Sequence, residues 1–168
     1  MTNLSVNNLI QQLSETLAPL FSSADQPIIV GIETGGYLIA KSLYQKLKPD
    51  TELGKLNITF YRDDFTKTGL HPTVKPSNLP TDIDGKTIIL VDDVLYSGRT
   101  VRAAMNELFD YGRPDKILLA ILIDRGGREL PIQADFIGHS IELKDDEQIK
   151  LEGTENLSLS IQKNYKTQ

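Results

Sequence analysis

Residues 87–100 read TIILVDDVLYSGRT. Ile88, Ile89, Leu90 and Val91 form an unbroken run of branched apolar residues, the pattern of a strand buried on both faces. Such strands belong to parallel sheets covered by helices on either side. Two adjacent carboxylates, Asp92 and Asp93, stand at the end of the run, ahead of a short loop containing Gly98. A helix is then predicted, with Val101, Met105, Leu108 and Phe109 on one face and a stop at Gly112 and Pro114. A further apolar run at 117–123 completes a strand–helix–strand unit. In sheets of this kind ligands bind beyond the carboxyl ends of the strands, where Asp92 and Asp93 lie.

The remaining chain repeats the pattern. Val6, Leu9, Ile10, Leu13, Leu17 and Leu20 recur at helical spacing over residues 6–21, and SSADQP breaks them. Residues 28–32 read as a buried strand, ETGG as a turn, 37–47 as a helix ended by Lys48 and Pro49, and 56–61 as another strand. The segment that follows, about 62–85, is Pro-containing and aperiodic, which predicts a flexible lid or extended hairpin. From Ile137 onward the tail predicts short strands around turns, an antiparallel annex. The expected fold is α/β, a doubly wound and mainly parallel sheet flanked by helices, in one domain over 1–168.

Composition excludes several functions. A length of 168 residues suits one domain, and no apolar run is long enough to cross a bilayer. The amino-terminal residues lack a basic start and an apolar core, and there is no cysteine, which together fit the cytoplasm. Net charge is −5, and no Lys, Arg or His precedes Lys41, so a polyanion would not bind the first helix.

Tyr96, Ser97, Gly98, Arg99 and Thr100 join a strand to a helix. Outward N–H groups and the helix dipole make a phosphate the natural guest there, although an ordinary capped helix start has the same pattern. Carboxylates next to a phosphate repel it and need a compensating purpose. Hydrogen bonds from a ribose 2′,3′-diol supply one, each worth roughly 1.5–3 kcal/mol to a charged acceptor; a solvated loop or a metal site are the alternatives. Thr34, Gly35 and Gly36 follow another strand and offer a second anion cradle or merely a tight turn. Neither GxGxxG nor GxxxxGK spacing is present. Two cradles and a diol clamp suggest a sugar carrying phosphate groups at both ends.

VDDVLYSGRT resembles the phosphoribosyl-pyrophosphate signature of type I phosphoribosyltransferases. FYRDD at 60–64, RTVRAAMNELFDYGRP at 99–114 and DRGGRELPIQADFIG at 124–138 resemble the PyrR family of pyrimidine-operon attenuators that are also uracil phosphoribosyltransferases. The resemblance implies transfer from phosphoribosyl pyrophosphate to uracil, giving UMP and pyrophosphate, with Mg²⁺ held mainly through substrate, in a homo-oligomer built from dimers. It places Asp92 and Asp93 on the ribose hydroxyls, 96–100 on the 5′-phosphate and 34–36 on pyrophosphate. A lid would begin at Arg62 and Asp63, with Arg62 either neutralising the departing pyrophosphate or holding a structural ion pair. A hood at about 124–162 would read the base near Arg125 and Gly126. His71 and His139 are surface or hydrogen-bonding residues on this reading. A purine-type phosphoribosyltransferase shares the signature and differs in the hood. A regulator that senses UMP or phosphoribosyl pyrophosphate with weak catalysis is the other alternative.

RNA-binding members of the family carry Thr-Arg-Gly in the pyrophosphate loop, basic residues on the first helix, and histidine and a second arginine in the hood. Here Gly35, Gly127 and Gln133 take those loop and hood positions, His139 stands where lysine is common, and the first helix has no basic residue. Removing several phosphate contacts weakens RNA binding by orders of magnitude, so RNA is expected to bind poorly. Arg113, Arg125 and Arg128 remain, for the active site, an oligomer interface or RNA.

Overall fold

A computed structural model describes residues 4–58, 76–80 and 82–164. Arg62, Asp63 and His71 therefore lie outside the described residues. Helix α1, Val6–Leu17, is capped by Ser5, whose side chain accepts from Asn8 N–H, and passes into a 3-10 turn at Ala18–Phe21 where Pro19 cannot continue the α-helical bonding. Then come β1 (Ile28–Ile32), α2 (Gly35–Leu47), β2 (Gly54–Leu56), β3 (Thr87–Leu95), α3 (Arg99–Tyr111), β4 (Lys116–Asp124), β5 (Phe136–Ser140), β6 (Glu147–Glu152) and β7 (Ser158–Lys163).

Five strands form one parallel sheet in the order β2-β1-β3-β4-β5. Alternate side chains of β3 feed two cores. Ile89 and Val91 join Leu9, Leu13, Ile39 and Leu43 from α1 and α2, while Ile88 and Leu90 join Val101, Ala104 and Leu108 from α3. Helices therefore cover both faces, as the continuous apolar runs require. No described helix is long and apolar enough to cross a membrane.

Two boundaries differ from expectation for physical reasons. β2 lies at 54–56 rather than starting at Leu56, because its parallel register with β1 pairs Val30 with Gly54 and Ile32 with Leu56. Ile137 sits in β5, an edge strand of the main sheet paired with Ile121 of β4, so the antiparallel annex is only the β6–β7 pair. Gly138 is what lets β5 lie there, since a Cβ would stand 2.6 Å from the Leu122 carbonyl oxygen.

The order of strand addition reverses between β1 and β3: β2 lies on one side of β1 and all later strands of the sheet on the other. A crevice opens at such a point, beyond the strand ends. β1 pairs with β3 only as far as Gly31 and Val91, whereas β3 continues along β4 to Leu95. Asp92 and Asp93 thus lie within β3 but past the last residues that pair it with β1, on an edge facing the start of α2.

Candidate active site

The glycine pair at the start of α2 has no positive φ. Close approach accounts for it instead. A Cβ on Gly35 would collide with the Asp93 carboxylate, and one on Gly36 would stand 2.5 Å from the Val91 carbonyl oxygen and 2.9 Å from Asp92 Oδ1. Each glycine faces one aspartate. Gly35 and Gly36 are therefore the first residues of a helix rather than a turn, with Thr34 preceding them at the N-cap position and Glu33–Thr34 in the cis form. First-turn N–H groups of a helix lack acceptors within it, so this junction presents donors to the crevice.

Asp92 is 6% exposed, and its Oδ1 accepts from Asp93 N–H at 3.0 Å; Asp93 Oδ1 accepts from Val94 N–H at 2.9 Å. These bonds fix both carboxylates beside the glycine pair. Beyond them the β3–α3 loop encloses a hollow of ≈ 110 Å³, lined by Asp92, Leu95, Tyr96, Ser97, Gly98 and Thr100 among others. Gly98 occupies the left-handed region at φ 90° and caps α3. Arg99 N–H donates to Ser97 Oγ, and the Arg99 side chain pairs with Glu129 at 2.7 Å.

The loop's carbonyls are all turned away and bonded. Leu95 O accepts from Arg125 N–H, Tyr96 O from Arg128, Ser97 O from Glu129 and Leu130 N–H, and Gly98 O from Arg102 N–H. With acceptors occupied on the protein side, what remains at the mouth of the hollow is donor character and the positive end of α3, suited to an anion.

The segment from Asp124 to Ile132 packs over this loop. The Arg125 guanidinium carbon lies 4.0 Å from the centre of the Tyr96 ring, a cation–π stack, and Arg125 Nε is buried without a hydrogen-bond partner. Gly126 and Gly127 have φ of 70° and 81°, and a Cβ on Gly127 would strike the Tyr96 ring. Burial pushes the Asp124 carboxyl upward, but hydrogen bonds from Arg128 and Gly126 N–H, with the charge of Arg128, outweigh it and hold the group below its ordinary value. Arg113 is exposed and folds back on the end of α3, donating to the carbonyls of Phe109 and Gly112.

Among the expected site residues, the structure gathers Asp92, Asp93, Thr34, Gly35, Gly36 and 96–100 at one crevice, with Arg125 stacked on Tyr96 and Gly126 following it in open space. Of the lid segment, Asn78 bridges Lys55 of β2, Ile83 is buried in the core, and Asp84 accepts from Arg113 N–H. Sequence reasoning missed Glu33, next to the crevice, and left the task of Arg128 open. Glu33 Oε2 is buried without a partner while Oε1 lies 3.9 Å from Lys55, and Arg128 reaches the loop at 96–100; neither contact has a local sequence signal.

The phosphoribosyl transferase domain family matches residues 3–155. The chain belongs to that family. This phosphoribosyltransferase is 52% identical to the bifunctional protein PyrR of Nitrosococcus oceani over 92% of its length and 88% of the relative's. It is 53% identical to that of Pseudomonas aeruginosa over 80% and 79%. Its place is therefore in the PyrR branch. Among solved structures, a hypoxanthine-guanine phosphoribosyltransferase of Bacillus anthracis superposes with a TM-score of 0.66 at 21% identity, covering 84% of each chain. A hypoxanthine phosphoribosyltransferase of Staphylococcus aureus gives 0.64 at 18%, covering 83% and 74%. At those identities the likeness speaks for the fold alone.

Proposed function

We propose that this chain transfers the phosphoribosyl group of phosphoribosyl pyrophosphate to uracil. The C1′–O bond to pyrophosphate breaks with its electron pair leaving on pyrophosphate, a bond forms from C1′ to uracil N1, and the N1 proton passes to solvent. The observation that carries the reading is the contact of the acidic pair with the glycine pair, next to a donor-lined hollow, in a chain half identical to PyrR proteins.

Each residue group then has a task. Tyr96, Ser97, Gly98, Arg99 and Thr100 hold the 5′-phosphate, Asp92 and Asp93 hold the ribose hydroxyls, and the donors at Thr34, Gly35 and Gly36 hold pyrophosphate. The negative pair also favours the cationic character that C1′ gains as the leaving group departs. Positioning of the sugar between two fixed anion cradles does most of the work, and no side-chain nucleophile takes part. The hood near Arg125 and Gly126 receives the base.

Among the described residues no three His, Cys, Asp or Glu side chains converge into a metal cage. The adjacent carboxylates of Asp92 and Asp93 offer the oxygen ligands that Mg²⁺ takes, for an ion that arrives with the substrate. Bound there, Mg²⁺ would neutralise charge on the leaving pyrophosphate. A cytoplasmic homo-oligomer completes the proposal.

A second reading, UMP-dependent binding of pyrimidine-operon RNA, draws on the word bifunctional in the relatives' names. Against it, α1 carries no basic residue, and the Arg128 guanidinium is bonded to three acceptors of its own chain. The deciding assay supplies phosphoribosyl pyrophosphate and Mg²⁺ with uracil, cytosine, hypoxanthine or orotate in turn. UMP formed with uracil alone supports the proposal; nucleotide formed with hypoxanthine instead overturns the choice of base.

A further inference from the structure

Arg128 touches neither the crevice nor solvent to any great extent, yet its guanidinium joins three separate pieces of chain. Nη2 donates to Asp124 Oδ2 at 2.6 Å, where β4 ends. Nε donates to the carbonyl of Ile132 at 2.9 Å, where the hood returns. Nη1 donates to the carbonyl of Tyr96 at 2.9 Å, inside the phosphate loop. The Arg128 and Asp124 side chains are 23% and 15% exposed; the bonds to Asp124 and Ile132 are partly buried and that to Tyr96 lies nearer solvent. Only a planar fork of donors spans three acceptors in such different directions; a lysine ammonium reaches them one or two at a time.

We propose that Arg128 is a positioning residue that locks the hood to the phosphate loop, fixing the distance between the base site and the 5′-phosphate site before ligand arrives. The proposal rests on the functional reading given above. It extends that reading through a chain of contacts. Arg128 holds the backbone of Tyr96, the ring of Tyr96 carries the guanidinium of Arg125, and Arg125 has its Nε buried with no hydrogen bond to fix it. The stack is therefore the main support for Arg125, and its geometry depends on where Arg128 places Tyr96. Gly127 contributes by absence, since any Cβ there would displace the ring. Two further bonds, from Glu129 and Leu130 N–H to Ser97 O, run across the same seam.

The consequence is selective. Phosphoribosyl pyrophosphate needs the phosphate loop but not the hood, whereas UMP needs both at a set separation. With the seam intact, the ordering of the hood is complete before binding; with it broken, only ligands that carry a base must bear that ordering.

The test uses the whole protein with Arg128→Lys, and Asp124→Asn as a second variant that removes one acceptor and keeps the arginine. Steady-state kinetics give KM for uracil and for phosphoribosyl pyrophosphate, and calorimetry gives the affinity for UMP. For Arg128→Lys the KM for uracil and the dissociation constant for UMP are expected to rise about tenfold or more, with KM for phosphoribosyl pyrophosphate changing by less than about threefold. Asp124→Asn should show the same split at smaller size, which covers the case in which Arg128→Lys does not fold. Equal rises for both substrates, or unchanged UMP affinity in a variant of a wild type that makes UMP, overturn the proposal alone. A wild type that makes no UMP and binds none overturns the functional reading and this proposal with it.

Discussion

Asp93 lies directly against Gly35, its carboxylate occupying the space in which a side chain at position 35 would begin. The glycine pair at the start of α2 and the acidic pair of β3 are thus one packed surface. In this chain a side chain at position 35 would have to move the Asp93 carboxylate from its present place. Gly35→Ala is accordingly expected to lower turnover at least tenfold and to cost about 1–3 kcal/mol of stability through overpacking. Combined with Asp93→Asn it should add much less than the single effects predict, because both act on one contact. Steady-state rates and thermal unfolding of the two single variants and the double variant check this; full additivity would separate the two residues.

Asp93→Asn by itself keeps the shape and an acceptor for Val94 N–H while removing the charge. A charged acceptor contributes roughly 1.5–3 kcal/mol, so turnover should fall about 10- to 100-fold with the melting temperature nearly unchanged. Wild-type turnover in the variant would remove Asp93 from the reaction.

The Asp124–Arg128 pair sets a pH dependence. Although burial opposes it, the Asp124 carboxyl is held below its ordinary value by Arg128 and Gly126 N–H. A depressed folded value means that the stabilisation is fully present above the unfolded value, near pH 4, and is lost as pH falls through the lower folded value. Thermal unfolding of wild type and Asp124→Asn should therefore differ by a constant amount from about pH 5 to 8 and converge only in acid. Convergence near neutrality would contradict the pairing.

Chelation of Mg²⁺ should abolish turnover and leave the melting temperature of the ligand-free protein unchanged, because an ion that arrives with substrate stabilises no apo fold. A drop in melting temperature on adding chelator would instead point to a resident metal.

Pyrimidine leader RNA should bind poorly at physiological salt, with a shallow dependence of affinity on salt concentration, since few cations are available to release counterions. A filter-binding assay that finds nanomolar, UMP-dependent affinity would refute this.

What the sequence revealed divides by the range of the interactions concerned. β1 matches its expected span of 28–32, and β3 and α3 stand where the apolar run and the Gly112 stop place them, because those signals are local. The start of α2 was two residues earlier than expected: Gly35 and Gly36 read as a turn, and their purpose depends on aspartates some 57 residues downstream. β5 was hidden for a similar reason, its identity resting on register with Ala120, Ile121 and Ile123 rather than on its own alternation. Arg128 could be read only as a cation available to several partners, since one of its three acceptors lies 32 residues away in the phosphate loop.

The inward-turned carbonyls of Leu95, Tyr96, Ser97 and Gly98 have a consequence for hydration. Water at the mouth of that loop finds no free backbone carbonyl among these four to donate to, which favours turning its oxygen toward the N–H groups. On the proposed reading an arriving phosphate brings oxygens to the same places, so each displaced molecule is replaced by an atom that makes the same bond. Binding there would be an exchange of like for like, whose gain comes from the phosphate charge and the freedom of the released water. On that reading the backbone needs no rearrangement to receive its ligand.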